Sequence, residues 1–218
     1  MRVARSEGLH TNDEVNKPYF QAMREASDNI YLNESEIIKL EKYNLSYNKQ
    51  LDMVRDVFLI GVYTAQRFSD YSKIRKENIR ILQSGLKVID LVQNKTGERV
   101  ISPVMPKLEA ILKKYHYIVP KTYDQKINKH IKDIAKLAGI TEMVPIKKIQ
   151  GGMDVEKDYP KHRLIKTHTA RRSGATNMFL SGIPSIDIMK LTGHKTETEF
   201  LNYIKVGKEE TADNLSRR

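Results

Sequence analysis

The chain has 218 residues, and 38 Lys and Arg against 27 Asp and Glu give it a formal net charge of +11 at pH 7. Such an excess is typical of proteins that bind polyanions, most commonly nucleic acid, although a ribosomal or membrane-surface protein would share it. The lack of cysteine excludes disulfides, thiolate metal sites and cysteine nucleophiles, and no apolar run approaches the ~20 residues that span a bilayer or resembles a signal peptide, so we expect a cytoplasmic protein with no membrane partner.

The first ordered element is predicted to begin at Asn33. Residues 1–31 are polar and mixed in charge, and we interpret them as a linker or tail. Asn33 can cap a helix with Glu36 at its third position. Apolar residues then recur at helical spacing over 51–62 and predict a long buried helix that ends near Thr64.

Arg67 follows directly after this helix, where the end of a buried element would hold it firmly. Ser69 is predicted to cap a short helix that carries Asp70 in its first turn. Residues 78–104 change to short β-rich runs separated by glycine-containing turns, which predicts a three-stranded antiparallel sheet. Lys95 lies at the tip of the second hairpin, from which its long side chain can reach into a neighbouring cleft.

The pattern returns to helices after the sheet. Helices are predicted at 107–115 and 124–138, the second ended by Gly139. The stretch 143–166 combines Gly-Gly, proline and many charges and is interpreted as a hairpin or loop. Residues 206–218 are polar and read as a C-terminal tail. The sequence therefore predicts a mainly α chain with a small antiparallel β-sheet, an α+β fold class.

The stretch 168–205 concentrates two histidines, two arginines and a tyrosine over three predicted short helices. His168 and Arg171 are three residues apart, so on a helix that begins near Thr167 both side chains project from one face of the first turn. An imidazole and a guanidinium at a helix N-terminus, where unpaired N–H groups already carry partial positive charge, suit a phosphate group.

The second and third helices of this stretch contribute two more candidates. Pro184 starts the second helix, Gly193 ends it, and His194 follows directly. Tyr203 lies one helix further along, close enough in sequence to return to the same pocket. We therefore expect a single site that contains both histidines and the tyrosine.

These residue types match one of the two ways in which proteins break phosphodiester bonds. Metal-activated water needs a cluster of carboxylates or histidines, and no such motif stands beside the basic stretch. The covalent route needs a hydroxyl that attacks phosphorus, cations that bind the non-bridging oxygens, and an acid that protonates the leaving 5′ oxygen. Six residues supply that inventory: Arg67, Lys95, His168, Arg171, His194 and Tyr203.

The roles follow from the chemistry of each side chain. Arginine binds non-bridging oxygens bidentately and stays charged, whereas Lys95 can lose its proton and is the better candidate acid. Tyr203 needs a base and cationic surroundings before it attacks, because the usual pKa of tyrosine is ~10. His168 can accept its proton, and we expect His194 to donate a hydrogen bond to a phosphate oxygen.

Each candidate also has an ordinary structural explanation. Lys95 alone fits a solvated turn lysine, and Tyr203 fits a core residue with a solvated hydroxyl. His168 with Arg171 fits a capping pair on a surface helix, which we would favour for these two residues taken alone. His194 fits a helix C-cap, and Arg67 fits an ion-pair partner of Asp70. All these explanations would have to coincide in the order and spacing of one reaction, so we favour the joint chemical interpretation.

The same residues resemble the tyrosine recombinases, also called the phage integrase family. The matching elements come in the family's order: Arg67 with Asp70 three residues later, Lys95 on a β-hairpin, "HTARRSGAT", "LTGHK" and Tyr203. The stretch "TGHKTETEFLNYIK" is most similar to integrases of prophages and conjugative transposons. The resemblance covers the chain from residue 32 to its end and implies a catalytic domain at 32–205.

The resemblance implies a mostly helical domain that cleaves and rejoins DNA strands through a 3′-phosphotyrosine intermediate, without ATP, metal or another cofactor. It implies catalytic roles for the six residues named above and an orienting role for Asp70. The implied partners are double-stranded DNA, further copies of the chain in a tetramer on DNA, and accessory DNA-bending proteins. The protein would act in a bacterial cytoplasm, associated with the nucleoid when bound to DNA.

Two departures from the family pattern stand out. The family usually has a glycine and an apolar residue before the first arginine, where this chain has Ala65 and Gln66. The family also usually carries an N-terminal helical domain that closes around DNA, where this chain has the weakly patterned residues 1–31. We therefore expect a catalytic part of a longer recombinase, with the tail at 206–218 contacting a neighbouring protomer.

Three other functions fit parts of the same pattern. A noncatalytic DNA-binding module would keep the fold without the chemistry. A topoisomerase-like enzyme would share the covalent tyrosine, and a metal-dependent nuclease would cut DNA without it. Loss of cleavage on Tyr203→Phe would exclude the first of these, and activity that resists EDTA would exclude the last.

Overall fold

The computed structural model describes residues 7–8, 30–150, 153–204 and 206, with the backbone alone at 147–150 and 153–154. The predicted N-terminal linker and C-terminal tail lie almost wholly outside these residues. The chain divides into two units, one made of residues 1–28 and 145–157 and the other of residues 29–144 and 158–218. All the candidate site residues belong to the second unit.

The described part is mostly helical. Its helices are α1 (Glu34–Lys42), α2 (Lys49–Thr64), α3 (Phe68–Tyr71), α4 (Pro106–Lys114), α5 (Asp124–Leu137), α6 (Lys161–Leu164), α7 (Thr167–Leu180), α8 (Ser185–Thr192) and α9 (Glu197–Ile204), with a 3₁₀ turn at Lys76–Asn78. None of these helices is both long and apolar enough to span a membrane.

Five strands accompany the helices in the part of the chain that the structure describes. The strands β1 (Ile79–Ile81), β2 (Lys87–Val92) and β3 (Arg99–Pro103) form an antiparallel sheet in that order, and β4 (Met143–Gln150) pairs with β5 (Met153–Pro160). The predicted α+β class, the three-stranded sheet and the hairpin after residue 143 are therefore confirmed.

The predicted capping box at the start of α1 is present. The Asn33 side chain accepts a hydrogen bond from the Glu36 N–H at 3.0 Å, and the Glu36 carboxylate accepts from the Asn33 N–H at 2.9 Å. The same carboxylate lies 2.8 Å from Lys161 Nζ on α6, and both charged side chains are buried. This ion pair fastens the first helix to the segment that leads into α7.

Helix α2 is the centre of the main core. Most of its residues are buried, and α7 crosses it so closely that a Cβ atom at Gly174 would collide with the Val62 carbonyl oxygen. The helix ends at Ala65, which adopts a left-handed conformation with φ 51° and is buried. An L-residue in this conformation costs about 1 kcal/mol. This turn redirects the chain so that Arg67 starts α3.

The three C-terminal helices share a smaller core. Its buried members are Ala175 on α7, Ile188 and Met189 on α8, and Phe200 and Ile204 on α9. Gly193 ends α8 in a left-handed conformation with φ 71°, as predicted from the sequence. His194 follows that turn, and Tyr203 lies on α9 next to the core. Packing of these helices thus sets the relative positions of His194, Tyr203 and the first turn of α7.

Candidate active site

Arg67, His168 and Arg171 line one open cleft of about 290 Å³. Arg67 occupies the N-cap position of α3, and the other two side chains come from the first two turns of α7. The prediction that Ser69 caps α3 is wrong, because the chain turns two residues earlier and Ser69 lies inside the helix. The remaining walls of the cleft are Phe68, Ser69, Asp124 and Thr167.

Arg171 connects this cleft to the rest of the candidate site. Its side chain is only 2% exposed, and its guanidinium donates hydrogen bonds to the Ala65 carbonyl at 3.2 Å and to the Thr192 carbonyl. The guanidinium carbon lies 5.9 Å from the centre of the Tyr203 ring. Burial lowers the pKa of Arg171 to about 10, so the group is still charged at neutral pH.

Tyr203 lies between two basic groups. Its ring centre is 4.6 Å from the Arg172 guanidinium carbon and 4.8 Å from the His194 ring centre. Arg172 Nε also donates to the Tyr203 carbonyl at 2.9 Å and so fixes the end of α9. The Tyr203 hydroxyl is buried and has no hydrogen-bond partner among the described residues. Burial raises the pKa of Tyr203, while the charges of Arg171 and Arg172 lower it.

Both histidines are held in the neutral form near pH 7. Burial, reinforced by the charges of Arg171 and Arg67, lowers the pKa of His194 to about 4. His168 is exposed at the cleft, yet desolvation by the surrounding protein, followed by the charge of Arg171, lowers its pKa as well. A neutral imidazole offers one donor and one acceptor nitrogen.

Thr192 controls which nitrogen of His194 carries the proton. The Thr192 hydroxyl oxygen lies 2.7 Å from His194 Nδ1 and 2.8 Å from the Ile188 carbonyl. When the hydroxyl donates to Nδ1, His194 Nε2 carries the hydrogen and can donate to a phosphate oxygen. When the hydroxyl donates to Ile188, Nδ1 carries the hydrogen and Nε2 becomes an acceptor.

Lys95 does not line the cleft that contains Arg67, His168 and Arg171. It is exposed in the turn between β2 and β3, and it makes no hydrogen bond or ion pair with any described residue. The turn itself is tethered, because the buried Asp70 carboxylate accepts from the Asn94 N–H at 2.9 Å and from Asn94 Nδ2 at 2.7 Å. Asp70 and Arg67, both described, form no ion pair.

The structure adds Asp124, which sequence reasoning passed over although it stands in the first turn of a predicted helix. Its carboxylate accepts from Thr167 Oγ1 at 2.5 Å and from Asn128 Nδ2 at 2.8 Å, and Asn128 Oδ1 accepts from the Thr167 N–H at 2.7 Å. Helix α5 therefore caps α7 and sets the position of His168. Within the described residues, no three His, Asp or Glu side chains are arranged to hold a metal ion.

A model of the phage integrase family matches residues 31–210. Since this match covers most of the chain, the chain belongs to the phage integrase family. A search of curated proteins finds no match.

Solved structures of tyrosine recombinases share the fold. The chain is similar to a Tn1549 transposon integrase in complex with DNA, with 12% identity and a TM-score of 0.64 over 100% of this chain and 75% of that one. A lambda integrase dimer bound to a core site gives 18% identity and a TM-score of 0.62 over 94% and 68%. XerH bound to difH gives 15% identity and a TM-score of 0.58 over 85% and 53%. The chain thus spans about half of the XerH chain.

Proposed function

We propose that this chain is the catalytic part of a site-specific DNA recombinase that cleaves and rejoins strands through a 3′-phosphotyrosine intermediate. One observation carries the proposal: two arginines and a neutral histidine line one cleft, and one of those arginines also lies near a partly buried tyrosine. Two fixed cations suit the non-bridging oxygens of a phosphodiester. The catalytic domain is proposed at 32–205.

In the proposed reaction the scissile phosphate binds to Arg67 and Arg171. Tyr203 Oη forms a bond to phosphorus, its proton passes to His168, and the bond from phosphorus to the 5′ oxygen breaks. Lys95 supplies a proton to that oxygen, which leaves as a 5′ hydroxyl. Attack by the 5′ hydroxyl of a partner strand reverses every step. Because the phosphotyrosine bond replaces a phosphodiester bond, no ATP is consumed.

The electrostatics of the site support these roles. A lowered pKa leaves His168 neutral and able to accept a proton at neutral pH. Arg171 stays charged, and its proximity to the Tyr203 ring favours the phenolate that attack generates. His194 donates to a phosphate oxygen from Nε2 when Thr192 donates to Nδ1. Asp70 orients the Lys95 turn through its two hydrogen bonds to Asn94.

The proposed partners are double-stranded DNA and further copies of the chain. The net charge of +11 supports DNA binding. A lambda integrase has been solved as a tetramer on a Holliday junction, and we propose a tetramer on DNA here as well. Residues 206–218 would contact a neighbouring protomer, and accessory DNA-bending proteins would assist assembly.

The proposal is tested with a suicide DNA duplex that carries a nick next to the cleavage position. Wild type and Tyr203→Phe are incubated with pools of candidate element ends in EDTA and resolved on a denaturing gel. An SDS-resistant adduct that requires Tyr203 is the expected result. An adduct that persists in Tyr203→Phe would contradict the assignment of the nucleophile, and cleavage that EDTA abolishes would indicate a metal-dependent nuclease.

A noncatalytic DNA-binding module is the second candidate. Two observations favour it: Lys95 has no partner among the described residues, and the Tyr203 hydroxyl is buried. The test uses a chain extended by an N-terminal DNA-binding domain. If this chain binds DNA but forms no adduct, it is a noncatalytic DNA-binding module. Relaxation of supercoiled plasmids of arbitrary sequence would instead indicate a topoisomerase-like enzyme.

A further inference from the structure

Two fully buried glutamines lie behind the candidate site. The Gln93 carboxamide oxygen accepts hydrogen bonds from Arg67 Nη1 at 3.1 Å and from Thr96 Oγ1 at 2.9 Å. Gln93 Nε2 donates to Gln66 Oε1 at 2.7 Å and to the Thr192 carbonyl at 3.2 Å. Gln66 Nε2 in turn donates to the Leu191 carbonyl at 2.6 Å. The Gln93 side chain therefore contacts three separate segments of the chain.

The Gln93 carboxamide has little freedom to turn. Both of its N–H bonds are used, and its oxygen accepts two hydrogen bonds, so any rotation would leave buried polar groups without partners. Gly193 packs against the same group, since a Cβ atom at Gly193 would collide with Gln93 Oε1. An apolar side chain would fill this buried position at lower cost. A carboxamide whose donors and acceptor are all hydrogen-bonded also fixes the orientation of the groups around it.

The three segments in contact with Gln93 each carry a candidate catalytic residue. Arg67 itself is the first, and the Thr192 carbonyl precedes His194 at the end of α8. The third is the turn of the β2–β3 hairpin, which holds Lys95 and is closed by hydrogen bonds from the Gln93 N–H to the Glu98 carbonyl and from the Gly97 N–H to the Gln93 carbonyl, both at 2.9 Å. The exposed Lys95 side chain therefore extends from a turn whose backbone is held in place by the buried residue Gln93.

We propose that Gln93, supported by Gln66, is a positioning residue that holds Arg67 and the Lys95 turn in fixed relation to the His194 turn. The effect on catalysis rests on the proposed function, whereas the effect on the turn does not. A displacement of about 1 Å at a reacting group can reduce a rate by about 100-fold. Replacement of Gln93 should therefore slow strand cleavage although Gln93 itself touches neither DNA nor the reacting atoms.

The catalytic test compares wild type, Gln93→Met, Gln66→Met and Tyr115→Phe. Tyr115→Phe is the matched control, because it removes a hydrogen bond from Tyr115 Oη to Asp56 at 2.9 Å that belongs to neither the cleft nor the glutamine pair. Adduct formation is measured on suicide DNA with either oxygen or sulfur at the bridging 5′ position. Sulfur leaves without a proton from an acid, so this DNA bypasses Lys95.

Gln93→Met should form the adduct about 100-fold more slowly on oxygen DNA and recover part of that loss on sulfur DNA. Gln66→Met should slow adduct formation less, since it leaves the hydrogen bond between Arg67 and Gln93 intact. Tyr115→Phe should form the adduct at the wild-type rate. A Gln93→Met rate within twofold of wild type would overturn the proposal. Equal losses on the two DNAs would overturn the part that concerns the Lys95 turn.

Hydrogen exchange provides a measurement that needs no activity. The amides of residues 93–98 should exchange at least about tenfold faster in Gln93→Met than in wild type or Tyr115→Phe, because the turn loses its buried anchor. Unchanged exchange in a folded Gln93→Met protein would overturn the positioning role. If wild type forms no adduct on any duplex, the proposed function fails, while the exchange rates still decide whether the glutamines hold the turn.

Discussion

Arg171 should be needed for folding as well as for chemistry. Its guanidinium is buried and donates to the carbonyls of Ala65, at the end of α2, and Thr192, at the end of α8. No other described residue donates to the Ala65 carbonyl, whereas the Thr192 carbonyl also accepts from Gln93. Substitution of Arg171 by alanine therefore leaves one buried carbonyl without a partner and removes a cation beside Tyr203.

The loss of stability expected for Arg171→Ala follows from these hydrogen bonds. Loss of a hydrogen bond from a charged donor to the Ala65 carbonyl costs about 1.5–3 kcal/mol, and the weakened bonding at Thr192 adds about 1 kcal/mol. We expect Arg171→Ala to lower the free energy of unfolding by about 3 kcal/mol. For a chain of this size each kcal/mol lowers Tm by about 2–4 °C, so the expected fall is about 6–12 °C.

Arg171→Ala should also slow the reaction, separately from this loss of stability. Removal of one preorganised donor to a developing negative charge typically slows a reaction by about 100- to 1000-fold. DNA affinity should change little, since one phosphate contact among many is lost and the interaction is strongest in the transition state. Arg171→Lys keeps the charge but has a single nitrogen donor, so it should recover part of the stability and little of the rate.

The assay combines thermal unfolding with single-turnover adduct formation at least 15 °C below the measured Tm, so that unfolding does not limit the rate. DNA affinity is measured on the same duplex at the same salt concentration. An Arg171→Ala protein that melts like wild type would refute the structural argument. Equal losses in rate and affinity would refute preferential binding of the transition state.

Four other expectations concern single side chains. Tyr203→Phe should abolish the covalent adduct and leave DNA affinity nearly unchanged, and equal loss of both would mean that Tyr203 is structural. Lys95→Ala should slow adduct formation on oxygen DNA but not on DNA with a 5′ bridging sulfur; no loss on oxygen DNA would assign the acid to another residue. The pKa of His194 is about 4 in the folded protein and ~6.5 in the unfolded chain, so the unfolded chain binds more protons between these values. Stability should therefore fall as the pH is lowered from about 6.5 to about 4, and His194→Gln should show a shallower slope in thermal unfolding. Gly174→Ala should lower stability by about 2 kcal/mol in denaturant unfolding, because its methyl group would meet the Val62 carbonyl, and a neutral effect would show that α2 and α7 can separate.

Local patterns in the sequence predict most of the fold. The capping box at Asn33 and the stop at Gly193 depend on residues within one turn of each other, and both are present. The sheet at 78–104 follows from short β-rich runs with turn residues between them. The helix cap predicted at Ser69 is wrong because of a local turn. The left-handed turn at Ala65 ends α2 without a glycine, which the sequence does not signal.

Residue types and their order in the sequence predict which residues form the candidate site, but they do not predict how these residues are held in place. Arg67, His168 and Arg171 do come together in one cleft, although their catalytic roles stay predictions. The contacts of Gln93 could not be predicted, since its partners include the backbone at Thr192, far away in sequence. A buried amide has no periodic signature, and the departure from the family pattern at Gln66 was the one visible sign of this arrangement.

These hydrogen bonds fix the two arginines relative to each other in the folded chain, without any ligand. Arg67 bonds to Gln93, Gln93 bonds to the Thr192 carbonyl, and that carbonyl accepts from Arg171. Two like charges are thereby held on one cleft by neutral amides and carbonyls, and burial lowers the pKa of Arg171. The unfavourable charge arrangement is thus established on folding. Donors whose spacing is already set need no reorganisation when negative charge develops on a bound phosphate, which is the condition under which fixed cations accelerate a reaction most.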